Sequence, residues 1–403
     1  MNKTLYSKKS GSALVLVLFA VVTLSVMGLG LLTLALNSRI FAIRTASDIK
    51  ARCAADAGLT KALFEMNKKL KVKPWSEDSL PEAVDEILLS NDNTTFTYTV
   101  TGNVSDGYVI ESTGKSGHTE KTVRSVLQLQ GPFEFAIFSD EGLDLKASAV
   151  VDRYNHDEDD ENLKVATNSA IPDSMSLKSS AIVNGDVVVG YGGNPDEVIE
   201  LKIGATITGE AYAATEIYQP PPVIPPAWLL SFPSTGTINN NTTITTSGKY
   251  DEINLGNSET ITIDGAVTLY VIGDITLGNS AELVVVDEAT NPDASLILYI
   301  GGDFEGKNSS NVNNMTGDPA KFKLYGLETC ENIILKNSSD FYGAVYAPNA
   351  YFEMTNSAEA FGAVTAKIYE QKNSAPFSYD ASLKDVTVND EGVRFVIKQW
   401  NEW

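Results

Sequence analysis

Histidine and cysteine are nearly absent from this chain of 403 residues, which has two of each, and arginine is sparse, with six. Those scarcities exclude much chemistry. His118 falls in a turn and His156 in an acidic loop, and neither stands beside a serine or cysteine in a nucleophile setting. No HExxH, phosphate-binding glycine loop, dinucleotide fingerprint or Cys/His zinc spacing is present. Cys53 and Cys330 cannot build a disulfide scaffold and read as two free thiols. Residues 133–380 hold one arginine, Arg153, whereas the carboxylate clefts of polysaccharide-active enzymes often carry basic groups as well. No catalytic residue and no cofactor is predicted, and the chain reads as a non-enzyme.

Charge is missing from one long stretch. No charged residue lies between Lys9 and Arg39, and Ala13 to Leu36 is a run of 24 apolar and small residues. At about 1.5 Å per residue such a helix spans about 36 Å, enough to cross a hydrocarbon core of about 30 Å. It exceeds the apolar region of about 7–15 residues in a cleaved secretory signal, so residues 13–36 are predicted to be a transmembrane anchor. Beyond it Ile40, Ile43, Ala46, Ile49, Cys53, Ala57, Leu63, Met66 and Leu70 recur at three- and four-residue steps. One helix is therefore predicted over residues 12–73, amphipathic in its outer half and ended by Pro74. Residues 1–73 carry a net charge of +9 within a total of −22, which leaves −31 for the remainder. An acidic body of that size repels nucleic acid and anionic lipid, so neither is predicted as its ligand.

The basic tail ending in Lys8-Lys9-Ser10-Gly11, the run SALVLVLFAVVTLSVMGLGLLTLAL from Ser12, and RTASDIKARCAADAGLTKALFEMN over residues 44–67 resemble the N-terminal region of PilX-type minor pilins of type IV pilus systems. The resemblance covers roughly residues 1–70. It implies that a prepilin peptidase cuts after Gly11 of a basic leader, residues 1–11, leaving Ser12 as the new N-terminus. It further implies that the apolar helix, with Leu16, Phe19, Gly28 and Gly30, packs among other pilin subunits and engages the pilus assembly machinery. Most pilins carry a glutamate as the fifth residue after the cut, and this chain has Leu16 there. A carboxylate in hydrocarbon is costly, and the resemblance implies that in pilins it pairs with a neighbouring subunit's ammonium, so its absence fits a minor, initiating or tip component.

Downstream, residues 74–132 read as a polar linker, with a short helix around Leu80–Leu89, followed by three alternating strands at 95–102, 107–117 and 121–131 that form a small antiparallel sheet. Repetition dominates thereafter. A first β-repeat region, residues 133–217, holds LKASAVV (145–151), LKSSAIVNGDVVVG (177–190) and LKIGATITGEAYA (201–213). A Pro-rich connector, residues 218–232, leads to a second region, residues 233–380, where Asn-Ser pairs begin at Asn257, Asn279, Asn308, Asn337, Asn356 and Asn373. Their separations of 17 to 29 residues suit one coil of a β-solenoid each, with Asn at left-handed corners forming side-chain ladders. Gly343-Ala344-Val345 and Gly362-Ala363-Val364 are predicted to occupy equivalent positions on successive coils. The tail, residues 381–403, reads as a hairpin around Asn389–Gly392 whose tryptophans, Trp400 and Trp403, cover an open end. Asp157, Asp159, Asp160 and Glu161 lie in an acidic stretch that departs from the EF-hand pattern; a solvated loop is the reading, with Ca²⁺ the weaker alternative.

The fold class is thus α+β, mainly β: a long N-terminal transmembrane and amphipathic helix, a small antiparallel sheet, then a right-handed β-solenoid-like ectodomain. The function read from it is that of a minor pilin-like component of a type IV pilus or related filament or secretion system, single-pass in the membrane. Its ectodomain is exported to the periplasm or cell surface for assembly initiation, tip display or adhesion, with a surface carbohydrate or protein as ligand. A stationary membrane-tethered adhesin is the alternative, and an anchored polysaccharide-active enzyme a weaker one.

Overall fold

The computed structural model describes residues 12–89, 93–154 and 163–402, and there the chain is mainly β with one long N-terminal helix. Helix α1 runs unbroken from Ser12 to Leu70. It contains no proline, and the turn at residues 71–74 before it reaches Trp75 ends it. Its two halves differ in partner. Every large apolar side chain from Leu14 to Ile43 is exposed, whereas Ala51, Ala54, Ala55, Leu59, Ala62 and Met66 are buried.

Those buried residues lie on a five-stranded sheet of β1 (Glu82–Ile87), β2 (Thr95–Asn103), β3 (Gly107–Ser116), β4 (Thr119–Gln130) and the final strand Arg394–Glu402, in that order. Small residues set the approach. A Cβ at Gly114 would lie 2.0 Å from the Ala51 carbonyl oxygen and 2.4 Å from the Ala55 nitrogen, so helix and sheet meet backbone to backbone. Strands β2 to β4 pair antiparallel as their alternation predicts, from Thr95 opposite Lys115 to Ser116 opposite Thr119.

Two local expectations give way. The predicted helix around Leu80–Leu89 is instead the edge strand β1, with a register shift between Ala83 and Glu86 and a positive φ of 48° at Asp85. Pairing with β2 outweighs helix propensity there, and Val84, Ile87 and Leu89 remain exposed. The predicted C-terminal hairpin is a single strand, which pairs within the five-stranded sheet rather than folding on itself. Trp400 lies on that strand under the Arg52 guanidinium, 6.0 Å from the ring centroid, and Trp403 falls outside the described residues.

The chain divides into a helix-and-sheet unit, drawn from the chain up to Lys69, Ser76–Gln128 and Val396 onward, and a β unit of Leu70–Trp75 and Leu129–Phe395. The larger segment of the β unit is therefore an insertion. It leaves the five-stranded sheet from β4 and returns as the final strand, β4's neighbour.

Within the β unit, 25 strands pair among the described residues, all in parallel. From Thr237 to Asn314 each short strand pairs with the strand three further on, giving three ladders that the longer strands Phe341–Met354 and Ala360–Gln371 continue. One register rank, buried from Leu255 to Leu177, traces the arrangement: Leu255, Leu277, Gly306, Leu335, Met354, Gln371, Leu145, Leu177 and Leu201, each opposite the next. The rank passes from Gln371 to Leu145, so the last strands of the second repeat region lie beside the first strands of the first. The connector is no boundary between two cores, because one buried cluster runs from Phe133 to Leu383.

Three residues after each member of that rank the backbone turns left-handed. The turning residues are Ser258, Ser280, Ser309, Ser338, Ser357, Ser374, Ser148 and Ser180, with φ from 54° to 61°, and Gly204, with φ of 77°. The serine of each Asn-Ser pair takes the left-handed conformation, not the asparagine as predicted. Asparagine instead supplies the side-chain ladder, with Nδ2 of Asn337, Asn356 and Asn373 donating to Oδ1 of Asn308, Asn337 and Asn356 at 3.2, 3.0 and 3.3 Å. The two GAV segments stand in register, Gly343 opposite Gly362 through Val345 opposite Val364.

Candidate functional site

The first candidate is α1 itself. Leu16, Phe19, Gly28 and Gly30 all lie on its apolar half, and a Cβ at either glycine would meet nothing within 4 Å. The helix is long and apolar enough to cross a membrane. Ser12 opens α1, and Gly11 lies outside the described residues.

The β unit presents three faces with different chemistry. One carries an outward rank of Lys249, Tyr270, Tyr299, Tyr325, Tyr346, Thr365 and Phe138. This aromatic face is largely covered. The Pro-rich connector lies on it as a strap, with Tyr346 donating to the Pro221 carbonyl at 2.7 Å and Tyr218 packed 4.7 Å from the Phe138 ring. Segment 385–395 covers more of it, through Lys323 paired with Asp390 at 3.0 Å and Gly392 against Tyr346. Glu391 is half-buried there; burial pushes its carboxyl above the ordinary range, against the pull of the Lys73 ammonium. Burial also raises Asp390, but Lys323 and the Thr387 hydrogen bonds outweigh it and hold that carboxyl low.

A second face carries the outward rank Asn254, Thr276, Glu305, Ile334, Glu353, Glu370, Asp144, Ser176 and Glu200. Lysines interleave with it. Lys336 pairs with Glu305, Lys372 with Glu353 at 2.7 Å, Lys146 with Asp144 and with Glu370 at 3.2 Å, and Lys178 with Glu200 at 2.7 Å. Hydrogen bonds from Lys178, Lys202 and Ser176 hold the Glu200 carboxyl down to about 2. Tyr351 donates to Glu353 and lies against Glu370. Glu200 and Glu370 are held in the ionised form, which suits a charge ladder and not a proton donor.

The third face carries an aromatic cluster that sequence reasoning missed. Tyr342 and Phe361 stand in register on adjacent strands, ring centroids 5.3 Å apart, and Tyr154 meets them edge-on at 6.4 and 5.6 Å. Tyr342 donates to the Gly317 carbonyl at 2.8 Å, and burial, then Tyr154, pushes its phenol above the ordinary range. Ser378 and Asp152 follow Phe361 along the rank. The signal was invisible locally because Tyr154 is far from the other two in sequence.

The remaining candidates give less. Asp157, Asp159, Asp160, Glu161 and His156 lie outside the described residues, and among the described residues no group of three or more His, Cys, Asp or Glu side chains gathers as a metal site. His118 sits exposed in a turn. Cys53 is exposed and Cys330 buried, both as free thiols, and burial pushes Cys330 up to about 12.

Residues 233–386 match the profile of a domain of unknown function, DUF7305. No curated protein matches the chain. Among solved structures, the competence-associated pilin ComZ from Thermus thermophilus is 12% identical, with 89% of this chain and 97% of that one covered, at a TM-score of 0.28. An ice-binding protein from the Antarctic ascomycete Antarctomyces psychrotrophicus is 14% identical over 60% and 93% of the two chains, with a TM-score of 0.28. An ice-binding protein domain (DUF3494) from Shewanella frigidimarina is 17% identical over 61% and 94%, with a TM-score of 0.31. These likenesses are remote.

Proposed function

We propose that this chain is a pilin-like subunit of the PilX type, anchored in the membrane by α1 and displaying its β unit outside as a β-solenoid. Its role is associative rather than catalytic. The observation that carries the reading is the division of α1: an exposed apolar half from Leu14 to Ile43, then a half seated backbone to backbone on the sheet at Gly114. Such a helix anchors in lipid first and can then pack among like helices when drawn into a filament. The parallel ladders are read as ten solenoid coils, nine of them with a left-handed corner three residues after the rank member, right-handed as parallel crossovers are. Leu16 fits a minor or tip position. The partners are other pilin subunits and the assembly machinery.

The test is fractionation of sheared filaments. The native chain is expected in the filament fraction, and a chain whose residues 12–36 are replaced by an unrelated single-pass helix is expected only in the membrane. Equal distribution of the two chains overturns the filament reading.

The aromatic cluster favours a second reading, a tethered adhesin, because partly exposed rings beside polar groups suit stacking on a sugar. Tyr342→Ala with Phe361→Ala is then expected to abolish binding to a glycan array. Unchanged binding removes that reading.

A further inference from the structure

The two ends of the parallel stack are finished differently. At one end Thr237–Ile238, Thr242–Ile244 and Gly248–Tyr250 form the last level. A short helix, Ala227–Leu230, places Leu229 wholly inside the core there. The segment before Thr237 also pairs with the edge: Thr235 donates to the Lys249 carbonyl at 2.8 Å and Asp251 to the Gly236 carbonyl at 3.0 Å. At the other end Ile199–Leu201, Thr206–Ile207 and Ala211–Ala213 each have one ladder partner, and among the described residues no strand continues them.

Core positions open to solvent at that end. Leu177, Val183, Val187 and Val189 are fully buried, yet their register partners Leu201, Ile207, Ala211 and Ala213 are not, and Leu201 is 53% exposed. Ile203, at the corner where six other levels carry asparagine, is 92% exposed. A bare strand edge over an open apolar cross-section is what proteins usually blunt or cover.

We infer that this end is a contact surface for a second copy of the chain, joined edge to edge about a two-fold axis. The inference rests on the solenoid reading of the ladders. A two-fold that lays Thr206 on the partner's Thr206 runs Thr206–Ile207 antiparallel to itself and sets the three residues Ile199–Leu201 against the partner's Ala211–Ala213. The same register places bulky Leu201 opposite the partner's small Ala211 and Lys202 opposite the partner's Glu210. One register thus satisfies strand length, side-chain volume and charge together, and an isologous contact closes as a dimer.

The test uses the full chain in native membranes with Cys53→Ser. Thr206→Cys is expected to form an intermolecular disulfide at least tenfold faster than Thr243→Cys at the covered end. Glu210→Lys is expected to slow the Thr206→Cys cross-link about tenfold, and Lys202→Glu added to it to restore the rate. An intrachain control, Asn254→Cys with Thr276→Cys, reports the ladder, whose register sets those residues opposite each other. If the control closes and Thr206→Cys cross-links no faster than Thr243→Cys, the interface is overturned and the ladder stands. If the control fails to close, the solenoid reading falls and the interface with it.

Discussion

Gly362 lies in register beside Gly343 on the neighbouring parallel strand, with φ of +136°, and a Cβ on it would stand 1.9 Å from the Gly343 carbonyl oxygen. Both the backbone conformation and the space demand glycine. Gly362→Ala is expected to cost about 2–5 kcal/mol in denaturant unfolding, the sum of backbone strain and overpacking. Gly317→Ala, at φ of 74° with open space around it, is the comparison and is expected to cost only about 1 kcal/mol.

The left-handed serines permit a graded test. Ser357 has φ of 59°, where a branched Cβ is most disfavoured. Ser357→Val is expected to destabilise by about 1–3 kcal/mol, and Ser357→Gly to be neutral or to stabilise by up to about 1 kcal/mol, as Gly204 already occupies the same position. Loss of stability in both variants contradicts the assignment of the corner.

Helix and sheet meet at Gly114, so its substitution acts through backbone contact. Gly114→Val is expected to displace α1 from the sheet, read as faster amide exchange over residues 51–66, while Gly117→Asn, in a left-handed turn with open space, leaves that exchange unchanged.

Glu391 gives a pH signature. Its carboxyl is raised in the folded chain, so its protonated form favours folding; that contribution is complete below the ordinary carboxylate value and is lost as pH rises through the raised value. Glu391→Gln is therefore expected to melt higher than the native chain at pH 7, with the difference shrinking as pH falls into the acid range. A difference constant with pH contradicts the assignment.

Much of this was legible in the sequence because it is local. The charge-free run to Leu36, the three-to-four-residue period to Leu70, and the alternation of β2 to β4 each record one element's own surroundings. The Asn-Ser repeat marked six corners, but the three corners at Ser148, Ser180 and Gly204 lack asparagine, so the two repeat regions did not declare themselves one stack. Contacts such as Gln371 to Leu145, and the pairing of the final strand near β4, join residues far apart in the chain, where no local pattern can record them. The β1 error has the same origin, since pairing with β2 and not the propensity of residues 82–87 decides that segment. The aromatic cluster is formed by that long-range stacking and was illegible for the same reason.

The most direct measurement is the N-terminal peptide of the native protein, by mass spectrometry, from cells with and without prepilin peptidase. A pilin-type subunit yields a mature chain beginning at Ser12 only when the peptidase is present. A chain that keeps residues 1–11 in both strains contradicts the pilin assignment and leaves a tethered surface protein.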